Sequence, residues 1–354
     1  MRGGKLSRRD ILKRTGTLAA TLFASPIKAV APEPTAITPQ LIEAARKEGT
    51  VAHYTSMELQ SAERVARAFE AKYPGMRVRV ERSGAERNFQ RIGQEYASGV
   101  RAVDVVNSSD ASHFVAWKRN GLLVPYVPED VAKYYSPEHR DADGLFATFR
   151  IYLNTLGYNT KLIKADEAPK SYADLLDPKW KGKIVKSHPG YSGGTLTSTY
   201  EIARDVGWDF FEKLARQNVM QVQSAADPPK KIALGERAIM MDGGENLVSL
   251  FKDQGVPVEI IYPAEGAPLV IGPNGVFKAA PNPNAARLFQ SYCFSVEAQQ
   301  FIIDVGGFRS VHPHTKERAG RKPLAEIKTM KDDPVAVEAQ SDAIKARYSK
   351  YFRI

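Results

Sequence analysis

The chain contains very little cysteine and lacks a long apolar segment. Cys293 is the one cysteine among 354 residues, so no internal disulfide can form and a site built from several thiolates is excluded. No run in the chain approaches the ~18 consecutive apolar residues typical of a membrane-spanning helix. The sequence also lacks a dense basic stripe interleaved with aromatic residues, which is the pattern of nucleic-acid binding. What is present is a globular composition, 43% hydrophobic and 25% charged, long enough for two ordinary domains.

Residues 1–31 differ from the rest of the chain in charge. They hold seven Lys or Arg against one Asp, which accounts for +6 of the formal net charge of +10. Arg8 and Arg9 precede a weakly apolar run from Thr15 to Ser25, and small residues follow around Ala29. This succession is typical of a twin-arginine export signal. The segment is therefore predicted to be a signal peptide whose cleavage point stays open, and the mature protein is expected in the periplasm.

The mature chain alternates short apolar runs with longer amphipathic ones, which indicates an α/β fold. Between two such series, Leu145 to Tyr158 is rich in aromatic and β-branched residues without helical spacing, and it predicts a strand that crosses from one lobe to the other. Leu269 to Lys278 predicts the return crossing. Two lobes joined by two crossing hinge strands enclose a central cleft, and open α/β sheets bind ligands at the carboxyl ends of their strands.

The domain boundaries follow from these crossings. Residues 32–148 together with about 270–310 are assigned to lobe 1, and residues 149–269 to lobe 2. The C-terminal helices within residues 311–354 are expected to pack on lobe 2.

Five predicted turns at strand ends are rich in hydroxyl groups, acids and glycine, and each precedes a predicted helix. Backbone N–H groups at helix N-termini bind anions, and an arginine adds a bidentate partner for phosphate or carboxylate. Each turn alone fits a helix cap, but caps need no glycine pairs, whereas close approach of the backbone to a ligand does. The residues predicted to donate to an anion are Thr55, Ser56, Arg82, Ser83, Ser109, Ser192, Gly193, Gly194 and Thr195, and the predicted acceptors are Asp242, Glu245 and Asn246.

Gly190 to Gly194 also matches the G-x-S-x-G nucleophile elbow of α/β-hydrolases. A serine hydrolase built on Ser192 needs an acid and a later histidine, for which Asp242 or Glu245 and His312 or His314 are the candidates. His188-Pro189 separates the predicted strand from the turn, whereas the elbow places its serine directly at the strand end. The ligand-loop interpretation is therefore preferred, no catalytic residue is predicted, and the hydrolase stays an alternative.

Acidic residues at the same turns pose a second alternative, a metal site. Glu58, Asp110, Asp242 and Glu245 are placed where they can meet at the cleft, and several carboxylates suit a hard cation. Acids at helix starts also complement the helix dipole, and that interpretation is preferred. No cofactor is predicted, and the metal alternative rests on Glu58 and Glu245.

Six segments of the mature chain carry a family resemblance: Thr50 to Ser56 leading into the Glu58 helix, Val103 to Val106, Tyr158 to Thr160, Asp174 to Lys183, Gly235 to Ala238, and Asn282 to Ala286. In this order they resemble the family 1 extracellular solute-binding proteins of ABC importers, in the branch that includes periplasmic ferric-ion-binding and organophosphate-binding proteins. The resemblance implies a two-lobed, Venus-flytrap receptor that closes on a small-molecule solute and delivers it to an inner-membrane ABC permease. We also expect a monomer that is not an enzyme and binds no nucleic acid.

In the ferric branch of that family, the metal is held by a histidine, a glutamate and two adjacent tyrosines. Those positions correspond here to Glu58, Ser109, Glu245 and Asn246, so none of the four residue types is kept. The hydroxyl-rich turns resemble instead the branch that binds phosphorylated or phosphonate-bearing solutes. We therefore expect a small anionic solute, namely a phosphate ester, phosphonate or carboxylate, with a ferric or other hard metal ion as the alternative.

Overall fold

The computed structural model describes residues 31–354, so all but the last residue of the predicted export signal, residues 1–31, lies outside the described residues. The described chain folds into two β-sheets with helices packed on both. The strands are β1 Thr50–Thr55, β2 Arg77–Arg82, β3 Val105–Asn107, β4 Phe146–Leu153, β5 Leu156–Asn159, β6 Ile184–Ser187, β7 Met220–Val222, β8 Ile239–Met240, β9 Val258–Ile261, β10 Ala267–Val276 and β11 Thr329–Met330. The helices are α1 Pro39–Glu48, α2 Leu59–Lys72, α3 Ala85–Ala97, α4 Ser112–Arg119, α5 Glu129–Tyr134, α6 Gly193–Asp205, α7 Trp208–Leu214, α8 Asp227–Ala233, α9 Glu245–Asp253, α10 Pro283–Phe294, α11 Val296–Gly306 and α12 Pro334–Phe352.

The first sheet has six strands, ordered β11-β10-β3-β1-β2, with β4 paired to β10. Because β1 runs parallel to both β2 and β3, the register places Thr55 beside Arg82 on one side and Asn107 on the other. Val51 in β1 is fully buried in the same hydrophobic cluster as Phe69 of α2. We call this sheet with its helices the first lobe, and the carboxyl ends of its parallel strands share one edge.

The second sheet has five strands, ordered β7-β6-β8-β5-β9. Strands β6, β7 and β8 run parallel, whereas β5 pairs antiparallel with β8 and β9. Ile184 and Ile239 are fully buried against Phe211 and Trp180. This sheet with its helices is called the second lobe.

The first predicted crossing, Leu145 to Tyr158, is divided between the two sheets. Strand β4 pairs with β10 in the first sheet, and β5 joins the second. The change of sheet falls at Asn154, whose amide donates to the backbone oxygen of Gly194 at 3.0 Å and to Ser198 Oγ at 2.6 Å. The return crossing follows β9 and becomes the long strand β10, so the lobes are joined by two connections, as predicted.

The C-terminal helix α12 contacts both lobes, whereas the prediction placed the C-terminal helices on lobe 2. Glu338 pairs with Arg119 of α4 at 2.6 Å in the first lobe. Tyr348 donates from its hydroxyl to Gln221 of β7 at 2.8 Å in the second lobe. Within the described part of the chain, no helix has both the length and the apolar character needed to cross a membrane.

Candidate functional site

A cavity of about 40 Å³ is lined mainly by residues that follow the carboxyl ends of strands in both sheets, together with Arg150 and Tyr152 of β4 and with Phe308. The lining residues are Ser56, Glu58, Gly84, Ala85, Ser109, Arg150, Tyr152, Ser192, Ser224, Ala225, Ala226, Gly244, Asn246, Leu247 and Phe308.

Four helices begin at this cavity, because the residue that precedes each of them lines it. These residues are Glu58 before α2, Gly84 before α3, Ser192 before α6 and Gly244 before α9. The N-cap residues of α3 and α9 are glycines, Gly84 and Gly244, and have no side chain to cap the first turn; within the described residues this leaves the first N–H groups available to another acceptor. Since the N-terminal end of a helix carries a partial positive charge, four such ends make the cavity attractive to an anion.

Arg150, on strand β4, contributes a full positive charge to the same cavity. Its guanidinium is 3% exposed and donates to Asn107 Oδ1 at 3.0 Å and to Ser56 Oγ at 3.1 Å, both neutral groups. Among the described residues, no carboxylate lies within 4.0 Å of it. Burial, together with the positive charge of Arg82, lowers the pKa of Arg150 to about 10. The Tyr152 hydroxyl acts in the opposite direction and raises the pKa. A buried cation beside a second cation favours an anionic ligand between them.

Arg82, at the end of β2, is the second arginine at the site. It is half-buried and donates from Nε to the backbone oxygen of Met57 at 3.3 Å and from Nη2 to Ser224 Oγ at 3.2 Å. The described residues provide no carboxylate within 4.0 Å of this guanidinium either. The contact with Ser224 joins the first lobe to the second across the cavity.

Four of the predicted binding residues line the cavity. Ser109 accepts from Gly194 N at 3.3 Å, and Ser56 accepts from Ser109 N at 2.8 Å. Ser192 caps α6 by accepting from Thr195 N at 3.3 Å. The fourth residue, Asn246, donates to the backbone oxygen of Gly306 at 3.0 Å.

Eight other predicted residues do not line the cavity: Thr55, Arg82, Ser83, Gly193, Gly194, Thr195, Asp242 and Glu245. Asp242 is buried, with its carboxylate 2.8 Å from Lys186 Nζ and accepting from Ser187 N at 2.8 Å. Thr195 is buried beside the Ser187 hydroxyl. These side chains hold strand ends and helix starts in place, so the protein itself occupies their polar groups.

Glu245 and Glu58, the residues of the metal alternative, have different surroundings. The Glu245 carboxylate is fully buried and accepts from Arg309 Nε at 2.7 Å and from the Tyr262 hydroxyl at 2.9 Å, and Arg321 Nη2 lies 2.9 Å away. Both of its oxygens are thus engaged. Glu58 lines the cavity and accepts from Ser61 N at 3.2 Å. The two carboxylates therefore have separate partners and do not form a joint set of ligands.

In the described part of the chain, one group of three metal-type ligands lies close together: Glu86, Asp110 and His113. His113 Nε2 is 2.9 Å from Glu86 Oε1 and 3.6 Å from Asp110 Oδ2, while Lys345 of α12 donates to Glu86 at 2.5 Å. Burial by itself lowers the pKa of His113, but Asp110 and Glu86 raise it above its ordinary value. Two carboxylates and two cationic groups balance here, so the cluster is a buried ion-pair network.

The residues of the hydrolase alternative are not assembled into a triad. Ser192 caps α6, and within the described chain no histidine side chain forms a hydrogen bond with its hydroxyl. His312 packs against Tyr134 and lies 3.9 Å from Asp130. The acid candidates Asp242 and Glu245 are paired with cations, so the geometry gives no support to a serine nucleophile.

The sequence prediction missed Arg150, Tyr152, Ser224 and Phe308. Arg150 had a detectable signal, because it is the one charged residue in the apolar strand Phe146–Leu153. The Arg150 guanidinium lies 4.8 Å from the Phe308 ring centre and 5.5 Å from that of Tyr152. These two rings come from distant parts of the chain, and their contact depends on the tertiary fold.

Two α/β lobes joined by two connections around a polar cavity define a two-lobed solute-binding protein. The chain matches the family of bacterial extracellular solute-binding proteins over residues 64–336, and it belongs to that family. Members of this family are the binding components of ABC importers.

Solved structures and sequence relatives agree with this family. The periplasmic binding protein AfuA of Actinobacillus pleuropneumoniae, with fructose 6-phosphate bound, superposes with a TM-score of 0.79 at 23% identity, covering 87% of this chain and 99% of that chain. Iron-bound HitA of Pseudomonas aeruginosa gives a TM-score of 0.72 at 22% identity, covering 85% and 99%. A periplasmic protein of Salmonella typhimurium named for 2-aminoethylphosphonate binding is 30% identical over 180 residues, which is 47% of this chain and 51% of that protein. The structures show that the two-lobed fold is shared.

Proposed function

We propose that this protein captures a small anionic solute in the cavity between its lobes and delivers it to an inner-membrane ABC permease. The solute is a phosphate ester, phosphonate or carboxylate. Arg150 and Arg82 bind its charge, Ser56, Ser109, Ser192 and Ser224 donate to its oxygens, and Asn246 orients it. The protein acts as a receptor without covalent chemistry.

The observation that carries this proposal is the Arg150 guanidinium, which is buried without a carboxylate partner. Removing a full charge from water costs several kcal/mol, and a protein normally offsets that cost with an opposite charge. Here the neighbours are neutral oxygens and another arginine. An anionic solute supplies the missing charge, and the four helix N-termini add to its stabilisation.

The same features disfavour a ferric ion. Arg150, Arg82 and the N-termini of α3 and α9, which have no side-chain cap, raise the energy of a cation in this cavity; Glu58 is the one carboxylate among the lining residues, and Glu245 is engaged by Arg309. Among the relatives, the bound fructose 6-phosphate and the 2-aminoethylphosphonate name agree with an anion, whereas the iron-bound relative has the shared fold only.

Calorimetry and thermal shift with a fixed panel test the proposal. The panel contains inorganic phosphate, methylphosphonate, fructose 6-phosphate, citrate and ferric ion. We expect at least one phosphate or phosphonate to bind one to one and to raise the apparent stability by ~2.7 kcal/mol at a hundredfold excess over its dissociation constant. Stabilisation by ferric ion alone would contradict the proposal.

We also propose that the protein works as a monomer in the periplasm and is exported by the twin-arginine route. The support is the Arg8-Arg9 pair ahead of an apolar run, together with the extracellular family. Replacing both arginines by lysine is expected to retain the protein in the cytoplasm, as followed by cell fractionation. Unchanged export of that variant would point to another route.

A further inference from the structure

The two lobes contact each other closely at two glycines, Gly84 and Gly193, and we call this contact between the lobes the seam. Gly84 precedes α3 of the first lobe, and a Cβ added there would stand 2.5 Å from the backbone oxygen of Tyr191 in the second lobe. Gly193 begins α6 of the second lobe, and its Cβ would stand 2.5 Å from Asp110 Cβ and 2.8 Å from Ala85 Cβ in the first lobe. Real Cβ atoms do not approach neighbours this closely, so a methyl group at either position requires the lobes to separate.

The atoms that oppose these glycines have little freedom to yield. One is a backbone oxygen and the other two are Cβ atoms, all of which move only when the backbone moves. Asp110 is fully buried and accepts from Ser112 N at 2.9 Å, which holds it at the start of α4. A rotamer change therefore cannot relieve the contact.

The seam lies beside the cavity and carries polar contacts between the lobes. Ser109 accepts from Gly194 N at 3.3 Å, and Arg82 donates to Ser224 Oγ at 3.2 Å. Arg87 of α3 also donates to Gln223, on the far side of the same seam. These contacts form only when the two lobes are as close as the glycines allow.

We propose that Gly84 and Gly193 are positioning residues that set how far the lobes close, and that a methyl group at either one holds the cleft open. This inference rests on the proposed function for its link to affinity, because a receptor binds more tightly in its closed state. When the closed state is a smaller fraction of the population, the apparent dissociation constant rises in inverse proportion.

Gly193→Ala is the more informative variant, because it should stabilise helix α6 locally but hinder the close contact between the lobes. Alanine is a better helix former than glycine, so in the first turn of α6 the change favours the helix itself. The only cost arises across the seam, in the closed arrangement. Gly93→Ala is the matched control, since Gly93 lies in the exposed middle of α3 with nothing within 4 Å of its added Cβ.

The test measures small-angle X-ray scattering and calorimetric affinity, without ligand and with inorganic phosphate, methylphosphonate or fructose 6-phosphate. We expect wild type and Gly93→Ala to populate the closed arrangement in part without ligand and to become still more compact when the ligand binds. Gly193→Ala should keep the larger radius of gyration and bind at least tenfold more weakly, with an unliganded melting temperature no lower than that of wild type. If Gly193→Ala fails to fold, Gly84→Ala gives the same readouts at the other contact.

The possible outcomes distinguish a failure of this inference about the seam from a failure of the proposed function. If Gly193→Ala compacts and binds like wild type, the seam does not limit closure and this inference is wrong, while the proposed function stands. If none of these anions binds wild type but Gly193→Ala has a larger unliganded radius than wild type, the seam stands and the proposed anionic ligand fails. Equal radii in all proteins, with no binding, would overturn both.

Discussion

Two pairs of arginines in this protein have opposite electrostatic surroundings. Arg309 and Arg321 meet a buried carboxylate, with Arg309 Nε and Arg321 Nη2 at 2.7 and 2.9 Å from Glu245 Oε1. Arg150 and Arg82 meet only neutral oxygens and repel each other. The first pair is complete within the protein. In the second pair, Arg150 lines the cavity and Arg82 contacts the lining residue Ser224, and among the described residues no carboxylate lies within 4.0 Å of either guanidinium.

The comparison shows that burial and residue type do not distinguish a structural arginine from a binding one. Arg309 and Arg150 are 2% and 3% exposed, respectively. What differs is the partner, because Glu245 satisfies one guanidinium while the other still lacks an anion. Glu245 was predicted to bind the solute, but its carboxylate is paired with Arg309, so its position is structural.

The largest effect is expected from Arg309→Met. This change leaves the Glu245 carboxylate buried with only part of its partners, and breaking a buried ion pair from one side costs about 3–5 kcal/mol of unfolding free energy. Urea denaturation measures the loss. The double variant Arg309→Met/Glu245→Gln should recover part of it, and wild-type stability of the single variant would show that the pair contributes little.

Arg150→Met should have its effect on binding and not on folding. Loss of a buried charged hydrogen-bond donor is expected to weaken anion binding by about 3 kcal/mol, roughly a hundredfold. The unliganded protein should be at least as stable as wild type, since an uncompensated buried charge is removed. Arg64→Met, at an exposed position of α2, controls for net charge. If Arg150→Met instead lowered the stability of the protein while its folded form bound the anion as tightly as wild type, the contrast between the two pairs would disappear.

Arg82→Ala is expected to weaken anion binding by about 1.5 kcal/mol, roughly tenfold. The effect is smaller because Arg82 is half-buried and its charge is partly screened by water. Isothermal titration with the tightest anion of the panel measures the change. An affinity equal to that of wild type would exclude Arg82 from the site and leave Arg150 as its one cation.

Much of the fold could be predicted from the sequence, because hydrophobic periodicity is a local signal. The alternation of strands and helices, the two crossings and the turns at the strand ends all follow from it. The crossing from Leu145 to Tyr158 was predicted as one strand, but Asn154 interrupts it by bonding to Gly194 and Ser198. Those partners lie about 40 residues away, so the break has no local signature.

The candidate site was less predictable, since a polar turn can face a ligand or another part of the protein. Ser109 and Asp242 both sit at strand ends, yet Ser109 lines the cavity and Asp242 pairs with Lys186. The buried lysine inside strand β6 was the only hint of that pairing. Likewise, Gly193 was interpreted as room for a ligand, but the structure fills that space with Asp110 and Ala85.

The smallest expected effect is on the unfolding free energy at acid pH, where the two pairs of arginines should again behave differently. Burial by itself raises the pKa of Glu245, but the hydrogen bond from Arg309 and the charge of Arg321 lower it below its ordinary value of 4.5. A lowered carboxyl pKa stabilises the fold above that ordinary value, and the contribution is lost as the pH falls below it.

Unfolding free energies of wild type and Glu245→Gln, measured by urea denaturation between pH 6 and pH 3, test this point. The wild type should lose more stability over this interval than Glu245→Gln, because only the wild type must protonate that carboxylate. Arg150→Met should keep the wild-type slope, since Arg150 has no carboxylate whose titration depends on it. The effect is modest because burial opposes the two arginines, so that only the difference appears as a pKa shift. Identical slopes for wild type and Glu245→Gln would mean that Glu245 titrates alike in the folded and unfolded chains, and the paired arginines would then contribute no pH-dependent stability.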